Sequence, residues 1–109
     1  MEHYRVDVSE AAESDLRDIV RYIASQFSMP LTALNMMELL EEAMASLSEF
    51  PQRFALLRDD RLAQMGYRKL SVRNYIVFYS IDEQNKAVDV ERILYARRDW
   101  RRMLAPPGA

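Results

Sequence analysis

The sequence predicts an α+β domain: an opening strand, an antiparallel helix hairpin, a three-stranded antiparallel meander and a short C-terminal helix, forming one domain over residues 1–109. Three observations carry this. Apolar residues between Ala12 and Leu47 recur at helical spacing in two runs separated by FSMP, the C-terminal half alternates in the manner of strands, and half of the residues are hydrophobic, enough for a core without disulfides or a structural metal.

In HYRVDV, Tyr4, Val6 and Val8 alternate with His3, Arg5 and Asp7, the period of a half-buried strand. Ser9 follows as a natural cap. Ala12, Leu16, Ile19, Val20, Ile23 and Phe27 then form one helical stripe, with Glu10 and Glu13 at the positive end of the helix dipole. Pro30 suits the first turn of a second helix, whose stripe runs through Ala33, Met36, Met37, Leu40, Ala43, Met44 and Leu47 until Pro51 stops it after Phe50. So short a link makes the helices antiparallel.

Residues 52–65 show no clean period and read as a loop with one helical turn around Asp59 to Gln64. Beyond Gly66, strands are expected at Tyr67–Val72, Tyr75–Ile81 and Ala87–Tyr95, joined by a tight turn at Arg73 and Asn74 and a polar turn at Asp82–Lys86. YIVFYSI is apolar at both parities, as in a strand covered on both faces, and the sequence Arg92, Ile93, Leu94 breaks the alternation of the last strand, which signals a bulge or a change of cover. A helix over Asp99–Leu104 precedes the tail PPGA, which is expected to fray. The helices are expected on one sheet face, with the other left for function.

No cysteine is present, which excludes a disulfide framework, a thiolate metal site and a cysteine nucleophile; no metal or cofactor is expected. No apolar run is long enough to span a membrane, and the opening segment lacks the apolar stretch of a signal peptide, so the expectation is a cytoplasmic chain with no membrane partner. The net charge of −2 hides a split: residues 1–50 hold three Arg against ten acids, whereas residues 51–109 hold twelve Lys and Arg against seven. Such asymmetry marks a surface for an anionic partner, or else two solvated faces.

Four segments in order, SEAAESDLRDIVRYI, LSEFP, GYRKLSVRNYIVFYSID and VERILYARRDWRRML, resemble the RelE/ParE superfamily of bacterial type II toxin-antitoxin systems. The resemblance covers residues 3–104. It implies a small toxin neutralised by an antitoxin encoded beside it, with plasmid stabilization among the implied roles. RelE-like members cut mRNA in the ribosomal A site, and ParE-like members poison DNA gyrase; the shared fold does not choose between them.

An RNA-cleaving site needs a base for the 2′-hydroxyl, an acid for the leaving oxygen and cations for the phosphate. Cations abound, but RelE-like enzymes often carry an Arg inside the central strand, where this chain has Ile76, and no His or Tyr follows Tyr95. Arginine stays protonated and makes a poor base. If the chain were a nuclease, Lys69, Arg73, Glu91, Tyr95 and Arg98 would be its candidate residues, although Glu91 and Asp99 read better as an ion-pair partner and a helix cap. The lone His3 is given no role.

Tyr67, Arg68, Lys69, Arg73, Arg97, Arg98, Arg101 and Arg102 therefore read as a target-binding surface. Tyr67, Lys69, Ser71 and Arg73 share one outward parity; basic residues on an edge strand also discourage aggregation, but four Arg in six residues after the last strand are not explained that way. Met29 and Met36 are candidates for a partner-binding surface that receives an antitoxin or a second copy of the chain, while Met37, Leu40 and Met44 fit the core and Trp100 anchors the last helix. The expected function is a ParE-like toxin acting on gyrase without a chemical step. The alternatives are a ribosome-dependent mRNA endonuclease and a non-toxic member acting only in an antitoxin complex. A homodimer or a toxin-antitoxin hetero-oligomer is compatible with this reading.

Overall fold

The computed structural model describes residues 2–104. Strand β1 (Arg5–Val8) leads into helix α1 (Glu10–Gln26), followed by α2 (Pro30–Ala45), a short α3 (Asp60–Gln64), strands β2 (Arg68–Val72), β3 (Tyr75–Asp82) and β4 (Ala87–Tyr95), and a short α4 (Trp100–Leu104). The second helix ends earlier than Pro51 would dictate, because Ser46–Ser48 tighten into a 3₁₀ turn and a second such turn covers Pro51–Arg53. The tail PPGA, expected to fray, lies outside the described residues.

The sheet order is β1-β4-β3-β2, with β2, β3 and β4 forming the antiparallel meander and β1 joining β4 in parallel, Arg5 opposite Ala87 and Val8 opposite Val90. The register of β3 and β4 shifts between Phe78, opposite Arg92, and Tyr79, opposite Val90, which leaves Glu91 as the extra residue of a bulge. The alternation breaks there because the bulge exchanges the faces of the residues on either side.

Ser9 closes the junction between β1 and α1. Its hydroxyl accepts from the amide of Ala12 at 3.0 Å and donates to the carbonyl of Glu91 at 2.8 Å, so one side chain caps the helix and pins it to the bulge. Where β1 ends, β4 has no strand beside it. Asp15, one turn into α1, takes over: its carboxylate accepts from the Ile93 amide at 2.9 Å and from two nitrogens of Arg92 at 2.7 and 2.8 Å. The pair is largely buried, with Asp15 12% and Arg92 26% exposed. It satisfies an edge donor that would otherwise face the helix unpaired.

The main core lies between the sheet and the α1–α2 hairpin and contains Ala12, Leu40, Met44, Leu47, Val77, Tyr79, Val88, Val90 and Ile93. Tyr79 is wholly buried; its hydroxyl donates to the carbonyl of Pro51 at 2.7 Å, and burial pushes its pKa up to about 12. That contact fixes the turn after Phe50, a non-glycine residue held in the left-handed region at φ 45° while Arg53 donates to the carbonyls of Glu49 and Phe50.

The opposite sheet face is not left open as the sequence suggested. Ile76, Phe78 and Leu94 lie under a second, smaller core closed by Leu57, Leu62 of α3 and Leu104 of α4, with Tyr67, Trp100 and Met103 packed around it. Both ends of this cover are tied down. Asp59 caps α3 by accepting from the amides of Arg61 and Leu62, and Arg101 of α4 approaches its carboxylate at 3.8 Å. Ile76 stands where the resemblance would put an arginine because this position is part of an apolar core.

Candidate functional site

The basic end of the molecule is built from β2, the β2–β3 turn and the segment after β4. Within β2, Leu70 and Val72 pack against the main core while Lys69 and Ser71 are exposed on the other face. Arg73 sits at the tip of the turn in the left-handed conformation, φ 55°. After Tyr95 the backbone folds back through hydrogen bonds from the Ala96 amide to the Asn74 carbonyl and from the Arg98 amide to the Tyr95 carbonyl, which presents Arg97 and Arg98 beside that tip.

Trp100 links the strand cations to the helix cations. Its ring packs on Phe78 with centroids 5.3 Å apart, the Lys69 ammonium lies 5.9 Å from its centroid, and the Arg101 guanidinium lies 4.6 Å from it. Trp100 is the anchor of the last helix, as expected, and it also fixes where two cations stand. Among the described residues, Lys69, Arg73, Arg97, Arg98 and Arg102 form no ion pair; Arg101 has only the long contact to Asp59. Desolvating unpaired arginines costs energy that an anionic partner would return.

Two of the residues assigned to this surface stand apart. Arg68 points toward the hairpin side and donates to the carbonyls of Gln52 and Phe54, holding the loop before α3. The alternation of β2 already puts Arg68 on the parity of Leu70; what no pattern reveals is that loop carbonyls wait there. Tyr67 is half-buried against the second core, where burial and then the charge of Glu91 push its phenol above the ordinary value.

The residues considered for a nuclease do not all share one face of the sheet. Glu91, in the bulge, lies on the far face near Tyr67, and burial followed by the neighbouring Asp89 carboxylate raises its pKa. Lys69 is on that same face. Tyr95 is on the other: it pairs with Tyr75, the two rings meet edge-on at 5.8 Å, and both face the helices. A sheet therefore stands between Tyr95 and the Glu91–Lys69 side. Exposed Asp99 accepts from the amide of Met103 only through its backbone carbonyl, and His3 pairs with Glu49 at 3.5 Å, remote from both.

A second feature lies on the hairpin side: a groove of about 800 Å³ between the tip of the α1–α2 hairpin and the ends of β3 and β4. Ile19, Ile23, Met36 and Ile93 line it together with Tyr22, Phe27, Met29, Tyr75 and Tyr95. Tyr22 and Phe27 stack edge-on at 5.7 Å, and Tyr22, Phe27 and Met29 remain 54%, 56% and 52% exposed. Burial, then Tyr95 and Tyr22, raise the pKa of Tyr75, so the phenol stays protonated. Met29 and Met36 thus share one groove, Met29 at its rim and Met36 partly beneath it. The groove's aromatic wall was not legible from methionine counting, because it joins residues of α1, α2, β3 and β4 that only the fold brings together.

The sheet order, the hairpin on one face and the basic turn beside the last strand define a small α+β domain of the architecture that the resemblance implies. The family model "ParE toxin of type II toxin-antitoxin system, parDE" matches residues 6–100, and the chain belongs to that family. Among solved structures it is similar to one of a chromosomal ParDE toxin-antitoxin system from P. aeruginosa, at 16% identity and a TM-score of 0.71 over 87% of this chain and 98% of that one. It is also similar to a free mutant form of the E. coli toxin RelE (20% identity, TM-score 0.63, 90% and 88% covered). A third likeness is to the RelBE2 toxin-antitoxin complex from Mycobacterium tuberculosis (25% identity, TM-score 0.60, 87% and 93% covered). No curated protein matches the chain by sequence.

Proposed function

We propose that this toxin arrests growth by docking its basic end onto DNA gyrase, with no chemical step of its own, and that its antitoxin neutralises it by occupying the groove. The observation that supports binding over cleavage is the separation of Tyr95 from Glu91 and Lys69 by the sheet. A general acid and a general base must both reach one scissile linkage, and Tyr95 cannot share one with Glu91 or Lys69 across the sheet. The filled far face adds to this, since Ile76, Phe78 and Leu94 are buried where a strand arginine would meet phosphate. Lys69, Arg73, Arg97, Arg98, Arg101 and Arg102 supply the docking charge, and Met29 and Met36 belong to the antitoxin's seat.

The test is to induce the chain alone in bacteria and map mRNA 5′ ends within minutes of growth arrest. Arrest with intact mRNA is the expected result. New ends in phase with codons would replace this reading by a ribosome-dependent endonuclease, and normal growth would indicate a member that acts only in its antitoxin complex.

A further inference from the structure

The groove carries two charges that the fold leaves unused. Asp18 on α1 and Arg98 beyond β4 both line it, and neither forms an ion pair with another described residue. Asp15, one turn before Asp18, is fully engaged by Arg92 and the Ile93 amide, so an incoming chain meets Asp18 rather than Asp15. The rest of the lining is mostly apolar and aromatic, with Thr32 and Asn74 as further polar residues. Anything seated there excludes water from the lining and strengthens whatever charge contacts it makes.

We propose that Asp18 and Arg98 select the antitoxin by charge: the segment that fits the groove is an amphipathic helix whose apolar stripe meets Ile19, Met36 and Tyr75, with a basic side chain on the flank facing α1 and an acidic one on the flank facing β4. This rests on the reading of the groove as the antitoxin's seat. The apolar floor supplies affinity to any such helix; the opposed charges fix its orientation and reject segments carrying the reverse pattern. Arg98 also belongs to the basic end. An acid that engages it from the groove withdraws one arginine from the target surface, so the contact that selects the antitoxin also contributes to neutralisation.

The experiment uses a display library of helical peptides with a fixed apolar stripe and randomised flanks, selected on the purified chain and on D18K, R98E and T32W. Thr32 is exposed and lines the groove, so a tryptophan there fills the seat without removing a core side chain. Wild type should enrich peptides with Lys or Arg on one flank and Asp or Glu on the other, D18K should reverse the first flank alone, and R98E the second alone. Each matched peptide should lose roughly tenfold in affinity for the mismatched variant. Peptides that lose binding to T32W but carry the same flanking charges on wild type, D18K and R98E would overturn the charge selection while leaving the groove as the seat. Peptides that bind T32W as well as wild type would overturn the seat itself. Self-association of the wild type that T32W abolishes would likewise overturn the proposal, since the occupant would then be a second copy.

Discussion

The two faces of the sheet are covered by different means. On the hairpin side, helices of 17 and 16 residues lay continuous apolar stripes on Val77, Tyr79, Val88 and Ile93. On the far side, two five-residue helices close a small core over Ile76, Phe78 and Leu94, and one of them carries Arg101 and Arg102. Helices that short have no stability of their own and hold only through what they pack against. The hairpin face supports the fold, whereas the far face serves to hold a basic surface in place.

The largest expected contrast is functional. Replacing Lys69, Arg97 and Arg98 together with Ala should abolish toxicity on induction while changing urea-unfolding stability by less than about 1 kcal/mol, because all three side chains are exposed and form no ion pair among the described residues. Retained toxicity would place the target surface elsewhere. Next in size is Leu40→Ala, a truncation of a fully buried residue under the hairpin, expected to cost about 3–5 kcal/mol of global stability. Trp100→Ala on the far face should instead release α4, raising hydrogen exchange at 100–104 with little loss at Val77 and Val88; a global loss equal to that of Leu40→Ala would erase the contrast between the faces.

Asp15→Ala tests the edge of β4. It strands the largely buried Arg92 and the Ile93 amide, at an expected cost of about 2–3 kcal/mol by urea unfolding. The smallest effect is expected at Glu91. Its folded pKa is raised, so the native state holds the proton more tightly and stability falls as pH rises from the ordinary value of 4.5 through the folded one. Glu91→Gln should remove that fall, giving a modestly higher urea midpoint than wild type at pH 7 and no advantage below pH 4.5. An unchanged pH profile would show that burial at the bulge does not act on this carboxyl.

The elements with long or strict periods were legible in the sequence. The stripes of α1 and α2, the cap at Ser9, the three meander strands and the irregularity at Arg92 follow from local chemistry, and so does the role of Trp100 as an anchor. What was not legible depends on distant pairings. Parallel docking of β1 on β4 and the carbonyls awaiting Arg68 leave no mark in any one segment. α3 and α4 are too short for a period to show that they cover the far face. The separation of Tyr95 from Glu91 is likewise invisible until the bulge sets which face each residue takes.

Binding to gyrase is the proposed action of this toxin, and its most direct measure is supercoiling of relaxed plasmid by purified gyrase as the purified chain is titrated in. Inhibition by the wild type and none by the Lys69, Arg97, Arg98 triple-alanine variant is the predicted result. Unimpaired supercoiling at a large excess of folded wild-type chain would contradict it.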